Sequence, residues 1–147
     1  VRADYEKMFR EGQCPVGRAL LREDGSPSEW RVRMVSGPVP DLSRLHHRKR
    51  FESVQGVILG HNVTDVVGKW GRFSVRHSPV PGKNGLLDGG MALCLDYSGR
   101  NGSIVSRVRD YVRLPWAADR RVMVGQFRLL LLGRERILGY FLLEELP

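Results

Sequence analysis

The sequence predicts an all-β fold, an antiparallel up-and-down barrel of eight or nine strands behind a short N-terminal helix, and three observations predict it. Apolar residues recur with period two over most of the 147 residues. Turn-forming residues return about every 8–15 positions, and the strand–helix rhythm of a parallel sheet is missing. A chain of this length with 41% hydrophobic residues has material for one core, so residues 1–147 are expected to form a single domain. Nine strands must hide their edges; a closed barrel or a sandwich does so, and the barrel is favoured.

The elements follow in order. Residues 1–13 read as a helix with Tyr5, Met8 and Phe9 on one face and Gly12 as its stop. Turn signals then stand at Asp24-Gly25-Ser26-Pro27, Gly37-Pro38-Val39-Pro40, Pro79 to Gly85, Asp88-Gly89-Gly90, Gly99-Arg100-Asn101-Gly102, Leu114-Pro115-Trp116 and Gly133. Between them lie strands expected at 17–22, 29–36, 47–52, 55–62, 68–77, 91–98, 106–114, 121–132 and 135–145. Trp30, Val32 and Met34 face away from Arg31 and Arg33, and Val108, Val112 and Leu114 face away from Arg109, Tyr111 and Arg113. One face of each strand is therefore buried and the other wet. The last two strands form a long hairpin around Gly133.

Composition excludes several classes. With 27% charged residues beside 41% hydrophobic ones, wholesale disorder is excluded. The longest apolar run, Leu129 to Leu132, is far too short for a membrane helix. Val1 to Lys7 carries charges of both signs and no signal-peptide pattern, so a cytoplasmic protein with Cys14 and Cys94 reduced is expected. His46, His47, His61 and His77 are not at ligand spacing, and no GxxxxGK[ST], GxSxG or GxGxxG motif is present, so neither metal nor cofactor is expected. The net charge of +8 comes from 20 Arg and only 4 Lys. That usage can reflect base composition as easily as phosphate binding, and the excess is spread over the chain.

Function is sought where polar groups interrupt an apolar face. Asp110 shares a face with Val108, Val112 and Leu114, so it points into the barrel if that face does. It then needs an Arg, a Tyr hydroxyl or a ligand, and a structural pair with an Arg of a neighbouring strand satisfies it equally. Asp96, in phase with Ala92, Cys94 and Ser98, either lines a cavity or begins a turn. Cys94 reads as a buried inert thiol. His61, in phase with Val57, Leu59 and Val63, is a general base in a pocket or a hydrogen-bonded structural histidine. Trp70 and Arg72 alternate onto one face, as the floor and anion clamp of a site or as a core plug and a solvated charge. Tyr140 and Gln126 are added from alternation in the final hairpin. Arg44 to Arg50 is either a phosphate-binding stretch or a solvated edge strand blunted by charge.

Arg48-Lys49-Arg50-Phe51, Gly60-His61-Asn62, Trp70-Gly71-Arg72-Phe73, Gly85-Leu86-Leu87-Asp88-Gly89, Leu95-Asp96-Tyr97-Ser98, Val108-Arg109-Asp110-Tyr111-Val112-Arg113, Val124-Gly125 and Tyr140 to Glu144 follow one another over about residues 45–145. In this order they resemble a group of small bacterial calycin-like proteins, of the broad class of lipocalins and fatty-acid-binding proteins. That group has Gly-Lys near Arg50-Phe51 and an acid at Tyr111, and no lipocalin GxW signature stands at the N-terminus here. The resemblance implies a ligand-sized barrel interior and assigns neither a reaction nor catalytic residues.

Three functions are thus expected in order. The first is binding of a small apolar or amphipathic molecule inside the barrel, contacted by Asp96, Asp110, His61, Arg72 and Trp70. The second is a cofactor-independent isomerase or cyclase acting on a natural-product intermediate, with Asp110 or His61 moving the proton. The third, a nucleic-acid-binding module built on Arg44 to Arg50, ranks last. A homodimer is an admissible assembly.

Overall fold

The computed structural model describes residues 2–82, 87–102, 104–115 and 121–147, with 87–89 described through their backbone. The helix α1 (Arg2–Glu11) precedes eight strands: β1 (Ser28–Ser36), β2 (Arg48–Val54), β3 (Val57–Thr64), β4 (Gly68–Pro81), β5 (Leu87–Asp96), β6 (Val108–Arg113), β7 (Val122–Leu131) and β8 (Arg134–Glu145). Each strand pairs antiparallel with the next, and β1 pairs with β8 to close the barrel. Closure leaves no edge for another strand to join.

The ninth expected strand, at 17–22, is instead a turn of 3-10 helix over Gly17–Leu20. Its apolar residues Ala19, Leu20 and Leu21 are consecutive rather than alternating, so they cannot serve a strand with one wet face. They plug the end of the barrel where β1 begins. The Leu20 carbonyl accepts hydrogen bonds from the Trp30 indole N–H at 3.0 Å and from the Ser28 hydroxyl. Trp30, Phe51, Phe73 and Leu143 fill that half of the interior. The fill depends on glycine opposite the rings: a Cβ on Gly60 would lie 2.5 Å from the Phe73 ring.

A second apolar layer lies outside the barrel. Phe9 of α1 is buried against Val80, Ala92, Cys94, Tyr111, Val124 and Tyr140, with Tyr5 and Met8 packed alongside. The amphipathic face read at residues 5, 8 and 9 thus docks on the outer face of the sheet. This layer explains why Ala92 to Leu95 are fully buried on both faces, so strict apolar–polar alternation fails there. Of the expected turns, residues 83–85 and Trp116 lie outside the described residues, and Asp88-Gly89-Gly90 is not a turn but the start of β5. Among those described, no helix is long and apolar enough to cross a membrane, and no three potential ligands gather into a metal site.

Candidate functional site

The alternation of β2 is the starting point. In Arg48-Lys49-Arg50-Phe51, Phe51 must face the core, and the two-residue period takes Lys49 inward with it. Lys49 is 4% exposed and Asp110, on β6 across the barrel, 2%. Their Nζ and Oδ2 atoms lie 3.1 Å apart. The expectation that Asp110 faces inward therefore holds, but its cation is a lysine from a strand that does not adjoin its own, and a tyrosine hydroxyl completes the pair. Tyr97 donates from its OH to Asp110 Oδ2 at 3.1 Å and accepts from Lys49 Nζ at 2.6 Å.

Asn62 and His47 extend this network. Asn62 Oδ1 accepts from Lys49 Nζ and from the His47 ring at Nε2, both at 2.9 Å, while its Nδ2 donates to Tyr97 OH and to the Gly71 carbonyl. Within this network two buried acceptors are left without hydrogen-bond partners, Asp110 Oδ1 and His47 Nδ1. In an apolar interior an unspent acceptor is costly, and such atoms need an explanation. Both residues line a cavity of about 170 Å³ in the half of the barrel opposite the Leu20 plug. Its walls are apolar, from Val32, Met34, Val108, Phe127 and Phe141, and its mouth is framed by Val39, Pro40, Leu42, Trp70 and Val105.

Burial dominates the electrostatics. It pushes the Asp110 carboxyl above the usual range and the Lys49 amine below its own, each opposed by attraction to the other. Burial and the charge of Asp110 raise the Tyr97 hydroxyl well above 10, so it remains a donor. Burial, with the Lys49 charge behind it, lowers His47 to about 4, so the imidazole is neutral at pH 7. The Lys49 ammonium is ringed by Phe73, Tyr97 and Phe141, whose centroids lie 5.3, 5.3 and 5.7 Å away.

A β-bulge separates Trp70 from Arg72. Asn62 pairs with Trp70 and His61 with Arg72, which leaves Gly71 as the extra residue at φ 58°. Trp70 consequently turns inward and stacks on His47 with ring centroids 5.4 Å apart, whereas Arg72 is exposed on the outside. The shared face expected from simple alternation does not exist. A Cβ at Gly71 would also stand 2.8 Å from Asn62 Nδ2.

The other expected site residues lie outside the cavity. His61 is in the phase read from the sequence, but that phase is the outer one, because Gly60 and Asn62 take the inner positions. There burial and the charges of Lys69 and Arg50 lower its pKa. Asp96 is also on the outer face, 3.3 Å from Arg109 Nε and 3.4 Å from Arg76 Nε, and it accepts from the Ser98 hydroxyl at 2.6 Å. Burial alone would raise its carboxyl, yet the Ser98 bonds and the two guanidiniums outweigh it and hold it low. Cys94, pushed up to about 12 by burial, is the expected inert thiol. Tyr140 and Gln126 meet each other at 3.0 Å in the outer layer, on the far side of the sheet from the cavity. The basic stretch is not an edge strand, since β2 lies between β1 and β3.

Sequence reasoning missed Lys49, Asn62, Tyr97 and His47. The signal for Lys49 was present in its phase with Phe51, and that for Tyr97 in its phase with Leu93 and Leu95. No family model, curated protein or solved structure matches the chain.

Proposed function

We propose that the barrel binds a small, largely apolar molecule of about one ring that carries a single hydrogen-bonding group, with the ring against the cavity wall and that group at Asp110, Tyr97 and His47. The observation that carries this reading is the pair of unspent acceptors, Asp110 Oδ1 and His47 Nδ1, at an otherwise apolar cavity. A donor on the ligand would satisfy what the protein leaves open. Size follows from volume, since an apolar cavity of about 150 Å³ holds benzene. A closed eight-stranded barrel with a cavity at one end also supports, as part of this proposal, a calycin-like relationship.

Calorimetry with benzyl alcohol tests the reading. Saturable 1:1 binding is expected, abolished by Val105→Trp at the mouth; binding unaffected by that blockage, or none at all, contradicts it. Native mass spectrometry of freshly purified protein should show a co-purified mass of that class.

The catalytic reading is favoured by one observation, that the carboxyl with a raised pKa belongs to a residue lining the cavity and keeps one oxygen without a hydrogen-bond partner. Asp110 could accept a proton from carbon beside a carbonyl while Tyr97 holds the developing oxyanion. Solvent deuterium incorporated into a bound ketone by the native protein and lost in Asp110→Asn would support it. The nucleic-acid reading has less to stand on: Arg48 is bridged to Glu29 and Asp65, Arg50 to Glu29, and Lys49 faces inward.

A further inference from the structure

The ligand class can be narrowed by the chemistry of the amine. A binding site that needed only a hydrogen-bonding floor has no use for a primary amine among three aromatic rings; Asn62, Tyr97 and His47 already supply donors and acceptors. Lysine is the one side chain in the network that condenses with a carbonyl carbon to an imine, and a desolvated lysine beside an acid–base pair is the arrangement that imine chemistry requires.

We propose that Lys49 captures an aldehyde or ketone on a ring-sized apolar ligand as a protonated imine, with Asp110 as its counter-ion and Tyr97 as the proton relay. The inference rests on the cavity reading above, with one difference: a carbonyl brings no donor of its own, and what Asp110 Oδ1 and His47 Nδ1 accept from is the hydroxyl formed on capture and the water it leaves as. Lys49 Nζ is 2.6 Å from Tyr97 OH, which is itself 3.1 Å from Asp110 Oδ2, so amine, relay and carboxylate form a closed triangle. The ammonium first passes one proton to Asp110. The free amine then attacks the carbonyl carbon, forming C–N as the C=O π bond opens onto oxygen, and that oxygen takes through Tyr97 a proton from the newly bonded nitrogen. Loss of the hydroxyl as water, with the second proton returned from the carboxyl through Tyr97, leaves C=N–H⁺. The sum is ammonium plus carbonyl compound giving iminium plus water, with no oxidant or cofactor. One positive charge stands beside Asp110 before and after, so capture does not leave the buried carboxylate uncompensated.

The experiment is reductive trapping of the native protein with benzaldehyde and cyanoborohydride, mapped by peptide mass spectrometry. The chain has only 4 Lys, so Lys7, Lys69 and Lys83 are internal controls. A single benzyl adduct on Lys49 is expected, slowed about tenfold by benzyl alcohol at roughly ten times its Kd. Lys49→Arg should abolish that adduct; because the mapping is done on the unmodified chain, the result stands even if this variant folds poorly. Benzyl alcohol binding without any Lys49 adduct overturns the imine while leaving the cavity reading intact. Adducts spread evenly over the lysines, or no binding of either compound, also overturn it, and the last outcome removes the cavity reading too.

Discussion

Two buried polar networks built on the same plan stand on opposite sides of one sheet. Inside the barrel, Tyr97 joins a carboxylate, a cation and an amide: Asp110, Lys49 and Asn62. Outside, Tyr111 donates to Glu135 at 2.7 Å, Arg128 lies over the Tyr111 ring at 5.1 Å and 3.9 Å from Glu135, and Gln126 accepts from Arg128 while donating to Tyr140. The cations differ in kind. Arg128 holds its proton at any accessible pH and presents a planar fork, whereas Lys49 can give its proton up. The carboxylates differ in surroundings as well, since Glu135 is 17% exposed and spends both oxygens on Tyr111, while Asp110 is 2% exposed with one oxygen unspent. A saturated network of arginine and glutamate fastens the final hairpin, and an unsaturated one of lysine and aspartate faces a cavity. Residue type alone does not mark a site; an unspent acceptor on a residue that lines a cavity does.

The largest expected difference is in stability. Lys49→Met strands Asp110 in an apolar interior and should cost about 3–5 kcal/mol, whereas the double change Lys49→Met with Asp110→Leu should recover most of it. Glu135→Gln, at a position water reaches, should cost about 1 kcal/mol. Urea unfolding reads all three, and equal losses at Lys49 and Glu135 would erase the distinction between the networks.

Next comes the pH dependence of the inner network. His47 has a pKa of about 4 when folded against 6.5 for a free imidazole. Between those values the unfolded chain takes up a proton that the folded one refuses. Stability from this group is therefore complete above pH 6.5, falls as the pH drops, and levels off near 4, a loss on the order of 3 kcal/mol. NMR titration of the His47 ring should show no protonation at pH 6; a midpoint near 6.5 would show the ring to be open to water.

A smaller effect separates the two tyrosines. Tyr97→Phe and Tyr111→Phe should each cost about 1–2 kcal/mol of stability, but only Tyr97→Phe should weaken benzyl alcohol binding, by about tenfold. Calorimetry on both variants checks this, and equal weakening would move the ligand out of the barrel.

What was readable in the sequence depended on regular alternation. The helix, seven of the strand pairings and the inward aspect of Asp110 follow from period two and from turn chemistry. Two things broke the period, and a third hid it. The Gly71 bulge sends Trp70 in and Arg72 out, and a bulge of one residue leaves no mark on a period-two count. Burial of both faces of β5 under α1 makes Asp96 and Cys94 resemble cavity residues when they lie outside. Lys49 sits between two outward arginines, so the basic run from His46 to Arg50 reads as one wet surface although His47 and Lys49 are buried. That Lys49 would meet Asp110 is a fact about barrel closure, fixed by the pairing of β1 with β8, which no local pattern contains.

The methionines offer the most direct test, because the four of them sample both networks. Met34 lines the cavity, Met8 on α1 packs against the outer apolar layer, Met123 is buried in the core, and Met91 is exposed. With the methyl groups labelled with carbon-13, titration with benzyl alcohol should move the Met34 resonance most, to saturation, and leave Met8 and Met91 in place. Movement of Met8 with Met34 unchanged would place the ligand on the outer face and contradict the account.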